Sequence, residues 1–312
     1  MLSQILMTWF VPNFRLGTYF GQKQYKKSHF QLFSTPKYLN MKRIIVFVFI
    51  LICVNSIAQI PFGSNHGKYI TIKNAKVYYE EYGQGTPLLL LHGGFGSISN
   101  FKHIIGPLSK KYRVIAMDSP GQGRSEQIDS MSYQIYANYY SAFIDQLKLV
   151  SVYVLGWSDG GNSAYILAYD RPDKVKKVIV SGANSDTDGY PDGALADMKT
   201  WTPETISEEF KEYWLKDFLK LSPNKNNWQK SYMQLKHMWI TKEVISDDHL
   251  SKIKSKFLIV YGDHDVTKLE HGLHIYRTIK GSQLCILPNT THFVFAEKPA
   301  LISNIIKEFL GK

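Results

Sequence analysis

The sequence predicts an α/β fold with a mostly parallel, doubly wound sheet and a helical cap insertion. Two observations support this prediction. Short aliphatic runs alternate with longer helix-like stretches from residue 68 onward, and one long segment contains no strand candidate. Continuous aliphatic runs are typical of strands that are buried on both faces of a parallel sheet. In such sheets ligands bind beyond the carboxyl ends of the strands.

The predicted elements follow one another in a regular order. An initial hairpin turns at Lys73-Asn74, between strands at 68–72 and 75–81. Buried-type strands are then predicted at 87–91, 112–117, 151–155, 175–181, 257–261 and 283–287. Helices are predicted near 99–109, 132–148, 160–170, 268–279 and 299–310.

Residues 186–247 break this alternation and form the predicted cap. The segment is rich in large aromatic side chains: Trp201, Phe210, Trp214, Phe218, Trp228, Tyr232 and Trp239. Aromatic side chains bury large apolar areas, so we expect most of them to pack the cap onto the main domain. Some should face a cavity beneath it.

Residues 41–58 have the three parts of a secretory signal peptide. The positive segment Met41-Lys42-Arg43 precedes eleven apolar residues, Ile44 to Val54, and a small-x-small site ends at Ala58. A membrane span needs about 20 apolar residues, so we expect cleavage after Ala58 and no stable membrane insertion afterwards. The chain is therefore predicted to be secreted or periplasmic. An uncleaved N-terminal membrane anchor stays open as the alternative.

Residues 1–40 precede this complete signal and show neither strand nor helix periodicity. We interpret them as an over-extended N-terminus and expect Met41 to be the true start. The folded domain is then predicted to span 59–312.

The charge balance argues against nucleic acid as a partner. The formal net charge is +11, but residues 1–58 hold seven basic residues and no acidic ones. The other 30 basic and 26 acidic residues leave a balance of only +4. Cys53 and Cys285 are the two cysteines, and their spacing does not suggest a zinc site. We expect no metal and no organic cofactor.

The segment Gly156-Trp157-Ser158-Asp159-Gly160-Gly161 follows a predicted strand and opens a predicted helix. In this Gly-x-Ser-x-Gly arrangement a tight turn needs glycine on both sides and lifts the serine hydroxyl above the sheet edge. We therefore predict Ser158 as a nucleophile. A serine hydroxyl also needs a base within reach to take its proton.

His292 is the predicted base, because it follows the last strand and so lies at the same edge as Ser158. The orienting acid should follow the preceding strand, where Asp263 and Asp265 are both available. From the residues alone both stay open. His92 is a possible second base, although we expect it to be structural. The pair His271 and His274 could ligate a metal, although solvated surface is the expected environment.

The negative oxygen of a tetrahedral intermediate needs backbone N–H donors. The amide of Asp159, directly after the nucleophile, is one expected donor. The second should come from the glycine-rich loop after the strand at 87–91, where we choose the Gly94 amide with Phe95 as the alternative.

At this point the chain resembles the α/β-hydrolase superfamily across about residues 68–310. The motifs that support the resemblance are His92-Gly93-Gly94, Asp118 to Ser125, the serine turn, Gly262-Asp263-His264-Asp265 and His292-Phe293. The resemblance implies the α/β-hydrolase fold. In its pattern the acid follows the glycine by three positions, which favours Asp265.

A narrower resemblance is to the biphenyl hydrolase-like group, the valacyclovir hydrolases, which cleave α-amino-acid esters. It is based on the serine turn, Ser181 to Asn184, and Gly281 to Leu284. It implies that the Asp159 side chain meets a substrate ammonium. The alternative, that this side chain sits in solvent, stays open. We also expect Trp157 and Phe95 to contact the substrate.

The predicted function is a serine hydrolase that cleaves small carboxylic esters, with α-amino-acid esters as a candidate class, through an acyl-enzyme. The expected partner is a small-molecule ester or amide. A carbon–carbon bond hydrolase or aminopeptidase on the same triad is the alternative, as is a ligand-binding protein without turnover.

Overall fold

A computed structural model describes residues 62–64, 66–242 and 244–311. The predicted segments 1–40 and 41–58 lie outside the described residues. Within the described ranges eight strands form one sheet, in the order β1-β2-β4-β3-β5-β6-β7-β8. Their bounds are Lys68–Ile72, Ala75–Tyr82, Thr86–Leu91, Tyr112–Met117, Val152–Trp157, Val175–Ser181, Lys256–His264 and Gln283–Thr291, for β1 to β8 in chain order. The pairs β1–β2 and β2–β4 are antiparallel and the other five are parallel, so the prediction of a mostly parallel sheet is confirmed.

Helices cover both faces of the sheet. One face carries α2 (Tyr133–Gln146), α3 (Asp159–Asp170), α8 (Asp247–Lys252) and α9 (Leu269–Thr278). The opposite face carries α1 (Lys102–Ser109), α10 (Val294–Glu297) and α11 (Pro299–Gly311). The central strand β3 shows why both faces must be covered. Leu89 and Leu91 pack in the first layer, whereas Leu88 and Leu90 pack in the second, and all four are fully buried.

The cap elements α4 to α7 lie between β6 and β7. They are α4 (Ala194–Thr200), α5 (Glu208–Phe210), α6 (Lys216–Leu221) and α7 (Trp228–Ile240), and a π-helical turn (Lys211–Leu215) joins α5 to α6. Of the seven cap aromatics that the sequence singles out, four are buried and three are partly buried. No helix in the described part of the chain is both long and apolar enough to cross a bilayer.

The last two strands are longer than the sequence pattern indicates. β7 extends to His264 and β8 to Thr291, and the two pair again after a register shift between Gly262 and His264. β8 is an edge strand, so Pro288 can lie within it without costing a ladder hydrogen bond. The aliphatic runs end earlier than the strands, because the ends of these two strands are polar.

The loop after β4 is held by one buried carboxylate. Asp118 is fully buried and accepts hydrogen bonds from the Ile98 amide at 2.7 Å and the Arg124 amide at 2.8 Å. Its Oδ2 also lies 2.9 Å from Nη1 of the Arg124 guanidinium, which is 5% exposed. The hydrogen bond from Ile98 ties this loop to the segment that follows the glycine-rich loop, and the ion pair with Arg124 joins two parts of the loop itself.

We expect Asp118→Asn to lower the free energy of unfolding by about 3 kcal/mol or more, because it removes the carboxylate that lies 2.9 Å from the buried Arg124 guanidinium. Glu81→Gln is the matched control, since Glu81 pairs with Arg113 at a partly exposed site and should cost at most about 1 kcal/mol. Urea denaturation of both variants measures the difference. Equal losses in the two variants would contradict the assigned role of Asp118.

Candidate active site

Ser158 lies at the turn between β5 and α3 in a backbone conformation that non-glycine residues rarely adopt, with φ 53° and ψ −122°. Its amide donates to the Ser181 carbonyl oxygen at 2.8 Å, which fixes the turn to the end of β6. Ser158 is partly exposed, whereas Trp157 and Asp159 on either side are buried. The turn therefore presents the serine side chain and hides its neighbours.

The flanking glycines are required by close packing. A Cβ atom at Gly156 would lie 2.5 Å from the Gly160 carbonyl oxygen, and one at Gly160 would lie 2.1 Å from the Leu91 carbonyl oxygen. Neither distance leaves room for a side chain. The start of α3 can therefore lie directly against the end of β3.

His292 and Asp265 are in contact beside this turn. Nδ1 of His292 lies 2.8 Å from Oδ1 of Asp265, and both side chains are almost completely buried. The Thr267 amide also donates to Oδ1 of Asp265 at 3.1 Å. Because a carboxylate accepts at Nδ1, this nitrogen carries the proton and the imidazole is held in one tautomer.

Asp263 has a different position. Its two oxygens accept hydrogen bonds from the Thr290 and Asn289 amides, both at 3.0 Å, and these bonds lower the pKa of the exposed Asp263 carboxyl. It braces the turn that leads to His292. Of the two acids left open by the sequence, the structure brings Asp265 to the histidine.

The glycine-rich loop lies against the nucleophile. A Cβ atom at Gly93 would lie 3.0 Å from Cβ of Ser158, and one at Gly94 would lie 2.6 Å from Oδ2 of Asp159. Phe95 has a φ of 54°, and the Gly96 amide closes a turn by donating to the Gly93 carbonyl oxygen at 3.1 Å. The expected amide donors of this loop are thus close to Ser158.

His92 is engaged at both ring nitrogens. Nε2 accepts from the Ser119 amide at 2.8 Å, and Nδ1 lies 2.7 Å from the Gly93 carbonyl oxygen. The ring is 1% exposed, and burial lowers its pKa. His92 therefore supports the loop and has no free nitrogen with which to act as a second base.

The Asp159 side chain is buried, which contradicts the solvent-exposed alternative. Its carboxylate accepts from Nε1 of Trp239 at 2.9 Å and from the Tyr133 hydroxyl at 3.0 Å. Burial is the main influence and raises the pKa of Asp159 to about 6. The sequence interpretation did not identify Tyr133, and it treated Trp239 only as one of several cap aromatics. No local pattern marks either residue as a partner of Asp159.

A cavity of about 850 Å³, including its open mouth, connects these groups beneath the cap. Ser158, Asp159 and His292 line it together with Trp157 and Phe95. The rest of the lining is mostly apolar or aromatic: Gly93, Gly94, Gly182, Asn184, Tyr190, Met198, Trp201, Ser207, Phe210, Trp214, Trp239, Val266, Thr267 and Phe293. None of these described lining residues is Lys or Arg. The negative charge of the Asp159 carboxylate is therefore not balanced by a Lys or Arg of the lining.

No group of three His, Cys, Asp or Glu side chains that could hold a metal occurs in residues 62–64, 66–242 and 244–311. Nε2 of His271 accepts from the Ser185 amide at 3.0 Å. Nε2 of His274 lies 2.9 Å from Oδ1 of Asp247. Both histidines thus have protein partners. His274 is exposed as expected, but His271 is buried, so the expected solvated environment is wrong for His271.

Three comparisons with known proteins find similar sequences and a similar fold. A family model described as the alpha/beta hydrolase fold matches residues 86–218. The chain is 27% identical to 2-hydroxy-6-oxo-6-phenylhexa-2,4-dienoate hydrolase of Burkholderia cepacia, over 80% of this chain and 97% of that protein. A 2-hydroxy-6-oxononadienedioate/2-hydroxy-6-oxononatrienedioate hydrolase of Escherichia coli O81 (strain ED1a) is 25% identical, over 77% of this chain and 92% of the relative.

A solved structure gives the same fold. The meta-cleavage product hydrolase of Pseudomonas fluorescens IP01 superposes with a TM-score of 0.68 at 21% identity, over 78% of this chain and 97% of that one. The prediction of the α/β-hydrolase fold is confirmed. The narrower resemblance to the valacyclovir hydrolases is not supported, because the two relatives are named as dienoate-type hydrolases and the similar structure as a meta-cleavage product hydrolase.

We expect the Asp159 carboxyl to titrate near pH 6 instead of near its ordinary value of 3.8, because burial penalises its charged form. The folded protein then holds this proton more tightly than the unfolded chain does. The contribution of Asp159 to stability should therefore fall as the pH rises from about 4 to 6. Difference infrared spectra of wild type minus Asp159→Asn would follow the protonated carboxyl band, and loss of that band by about pH 5 would contradict the prediction.

Proposed function

We propose that this chain is a serine hydrolase that forms an acyl-enzyme on Ser158. The observation that carries the proposal is one shared cavity. Ser158 stands on the tight turn in its lining, His292 stands beside it, and Asp265 holds His292 from behind. The relatives of this chain are named as hydrolases, which supports the same class of reaction.

Each residue has a role that follows from its position. Nε2 of His292 takes the proton as Oγ of Ser158 attacks the carbonyl carbon. Asp265 keeps Nδ1 protonated and stabilises the imidazolium that results. The Asp159 amide and an amide of the glycine-rich loop, Gly94 or Phe95, stabilise the negative oxygen. His292 then protonates the leaving group, and water releases the acyl group by the reverse steps.

Hydrolysis of a carbon–carbon bond is the first candidate reaction, because relatives matched over nearly their whole length are named for 6-oxo dienoates. In this reaction the bond between the acyl carbon and its neighbouring carbon breaks. The neighbouring carbon leaves and receives the proton from His292. The acyl group stays on Ser158 until water attacks it.

Hydrolysis of small esters is the second candidate, and the charge of the cavity favours it. The relatives are named for carboxylate compounds, but none of the described lining residues here is Lys or Arg. Above pH about 6 the Asp159 carboxylate disfavours a nearby anion and favours a neutral or cationic acyl group. A free amine on the acyl group could donate a charge-assisted hydrogen bond to Asp159.

Variants of the triad test the common mechanism with a short p-nitrophenyl ester as the probe. We expect Ser158→Ala to abolish turnover and Asp265→Asn to lower kcat by about 10³- to 10⁴-fold, because the histidine loses its orienting partner. Asp263→Asn is the matched control and should keep kcat within about threefold. Turnover that survives Ser158→Ala, or an equal loss in Asp263→Asn, would refute the assignment.

Small acyl groups that differ in charge distinguish the candidate substrates. We expect alanyl and propionyl esters to be cleaved at least about tenfold more efficiently than the hemisuccinyl ester at about pH 7.5, since about 1.4 kcal/mol of repulsion gives that ratio. The ratio of kcat/KM for the alanyl and hemisuccinyl esters should rise through pH of about 6 in wild type and stay flat in Asp159→Asn. Taking a ratio cancels the effects of pH that are common to both substrates.

A ratio that is the same in Asp159→Asn would show that this carboxylate does not select substrates. The dienoate named for the Burkholderia relative is assayed with the same preparations. Ser158-dependent turnover of that compound above the best ester would favour carbon–carbon bond hydrolysis.

A further inference from the structure

The Phe95 side chain is surrounded by aromatic rings of the cap. Its ring centroid lies 5.4 Å from that of Phe210, 5.1 Å from Trp228, 5.8 Å from Tyr232 and 5.9 Å from Trp239. Phe95 is only 7% exposed. A residue of the glycine-rich loop is thus packed against four rings of the cap.

The backbone of Phe95 is held in an unfavourable conformation. A φ of 54° is strained for a bulky residue, and such residues persist only where their surroundings hold them. Aromatic pairs at these distances are stabilising beyond the area they bury. The four ring contacts therefore act against the backbone strain at Phe95.

The same loop lies directly against the reacting groups. A Cβ atom added at Gly93 would touch Ser158, and one added at Gly94 would touch both Asp159 and Trp239. A shift of a few tenths of an ångström in this loop would therefore move its amides relative to the nucleophile. Amide donors stabilise a negative oxygen only within a narrow range of distance.

We infer that Phe95 is a positioning residue through which the cap sets the geometry of the oxyanion loop. The inference rests on the proposed function, because that geometry matters for catalysis only if Ser158 attacks a carbonyl. Trp228 is the informative partner, since its ring has the shortest centroid distance to Phe95 but does not line the catalytic cavity. A substitution there removes a ring that packs on Phe95 and takes no side chain out of the cavity lining. The Trp228 ring also lies 6.1 Å from that of Phe210, which does line the cavity.

The experiment compares Trp228→Leu, Phe95→Gly and Phe218→Leu in the full chain. Phe218 is a matched control, because it is buried in the cap and contacts Trp228 at 5.5 Å, whereas the rings described around Phe95 do not include it. Glycine adopts positive φ at little cost, so Phe95→Gly keeps the loop conformation accessible. It removes the side chain and also increases the backbone freedom at this position, whereas Trp228→Leu leaves the loop sequence intact. Thermal unfolding checks that each variant is folded.

We expect Trp228→Leu and Phe95→Gly to lower kcat for the p-nitrophenyl ester by about tenfold, which is less than the roughly 10²- to 10³-fold effect of removing one oxyanion donor. For Trp228→Leu, KM should stay within about twofold. In a trifluoromethyl ketone, Oγ of Ser158 adds to the carbonyl carbon and the carbonyl oxygen becomes an oxyanion. The affinity for this ketone should fall by the same factor as kcat. The product acid should bind Trp228→Leu as it binds wild type, and Phe218→Leu should behave as wild type throughout.

Hydrogen exchange of the amides at 93–97 gives a readout that needs no activity. It should be faster in Trp228→Leu and Phe95→Gly than in wild type and Phe218→Leu. Unchanged exchange together with unchanged kcat would overturn the inference. A wild-type protein without Ser158-dependent turnover or ketone binding would refute the proposed function, and the exchange rates would still decide whether the cap holds the loop.

Discussion

The backbone turn at Ser158 is the constraint on which the rest of the site depends. With φ 53° and ψ −122°, the chain reverses so sharply that α3 begins against the end of β3. The absence of side chains at Gly156 and Gly160 makes this approach possible. Since β3 and β6 are the two neighbours of β5, the loops that leave all three strands converge on the serine.

Much of this arrangement could be predicted, because it follows from topology. Aliphatic runs identify buried parallel strands, and the carboxyl ends of those strands share one edge. Ser158 and the loop of His292 could be placed at that edge without a structure. The choice between Asp263 and Asp265 could not be made from the residues, since it depends on the register shift between Gly262 and His264.

The partners of Asp159 could not be predicted for a different reason. Tyr133 lies on α2 and Trp239 on α7, and both reach Asp159 only through the packing of the cap and helices around β5. Neither residue carries a local sequence signal for this contact. The burial that raises the pKa of Asp159 is likewise a property of the assembled cavity.

The motifs follow from the topology, whereas the contacts in the cavity follow from the packing of the cap. This difference explains why the motifs and the whole-chain comparisons favour different substrates. The motif around Ser158 belongs to the machinery that any acyl transfer needs, and the sheet residues are dictated by the fold. The family model ends at residue 218, inside the cap, whereas Trp239 lies beyond it. We therefore expect substrate preference to depend largely on the cap, whose sequence the fold constrains little.

Helix α7 contacts two features of the site that affect a substrate, the Asp159 carboxylate and the glycine-rich loop. Trp228, Tyr232 and Trp239 are spaced four and seven residues apart, so they lie on one face of the helix. Through Trp239 this face binds the Asp159 carboxylate, and through all three rings it packs on Phe95. A displacement of α7 would therefore alter the charge environment of the cavity and the position of the glycine-rich loop together. Substitutions that reshape the cap for a new acyl group must preserve this face of α7 if the amides beside Ser158 are to keep their positions.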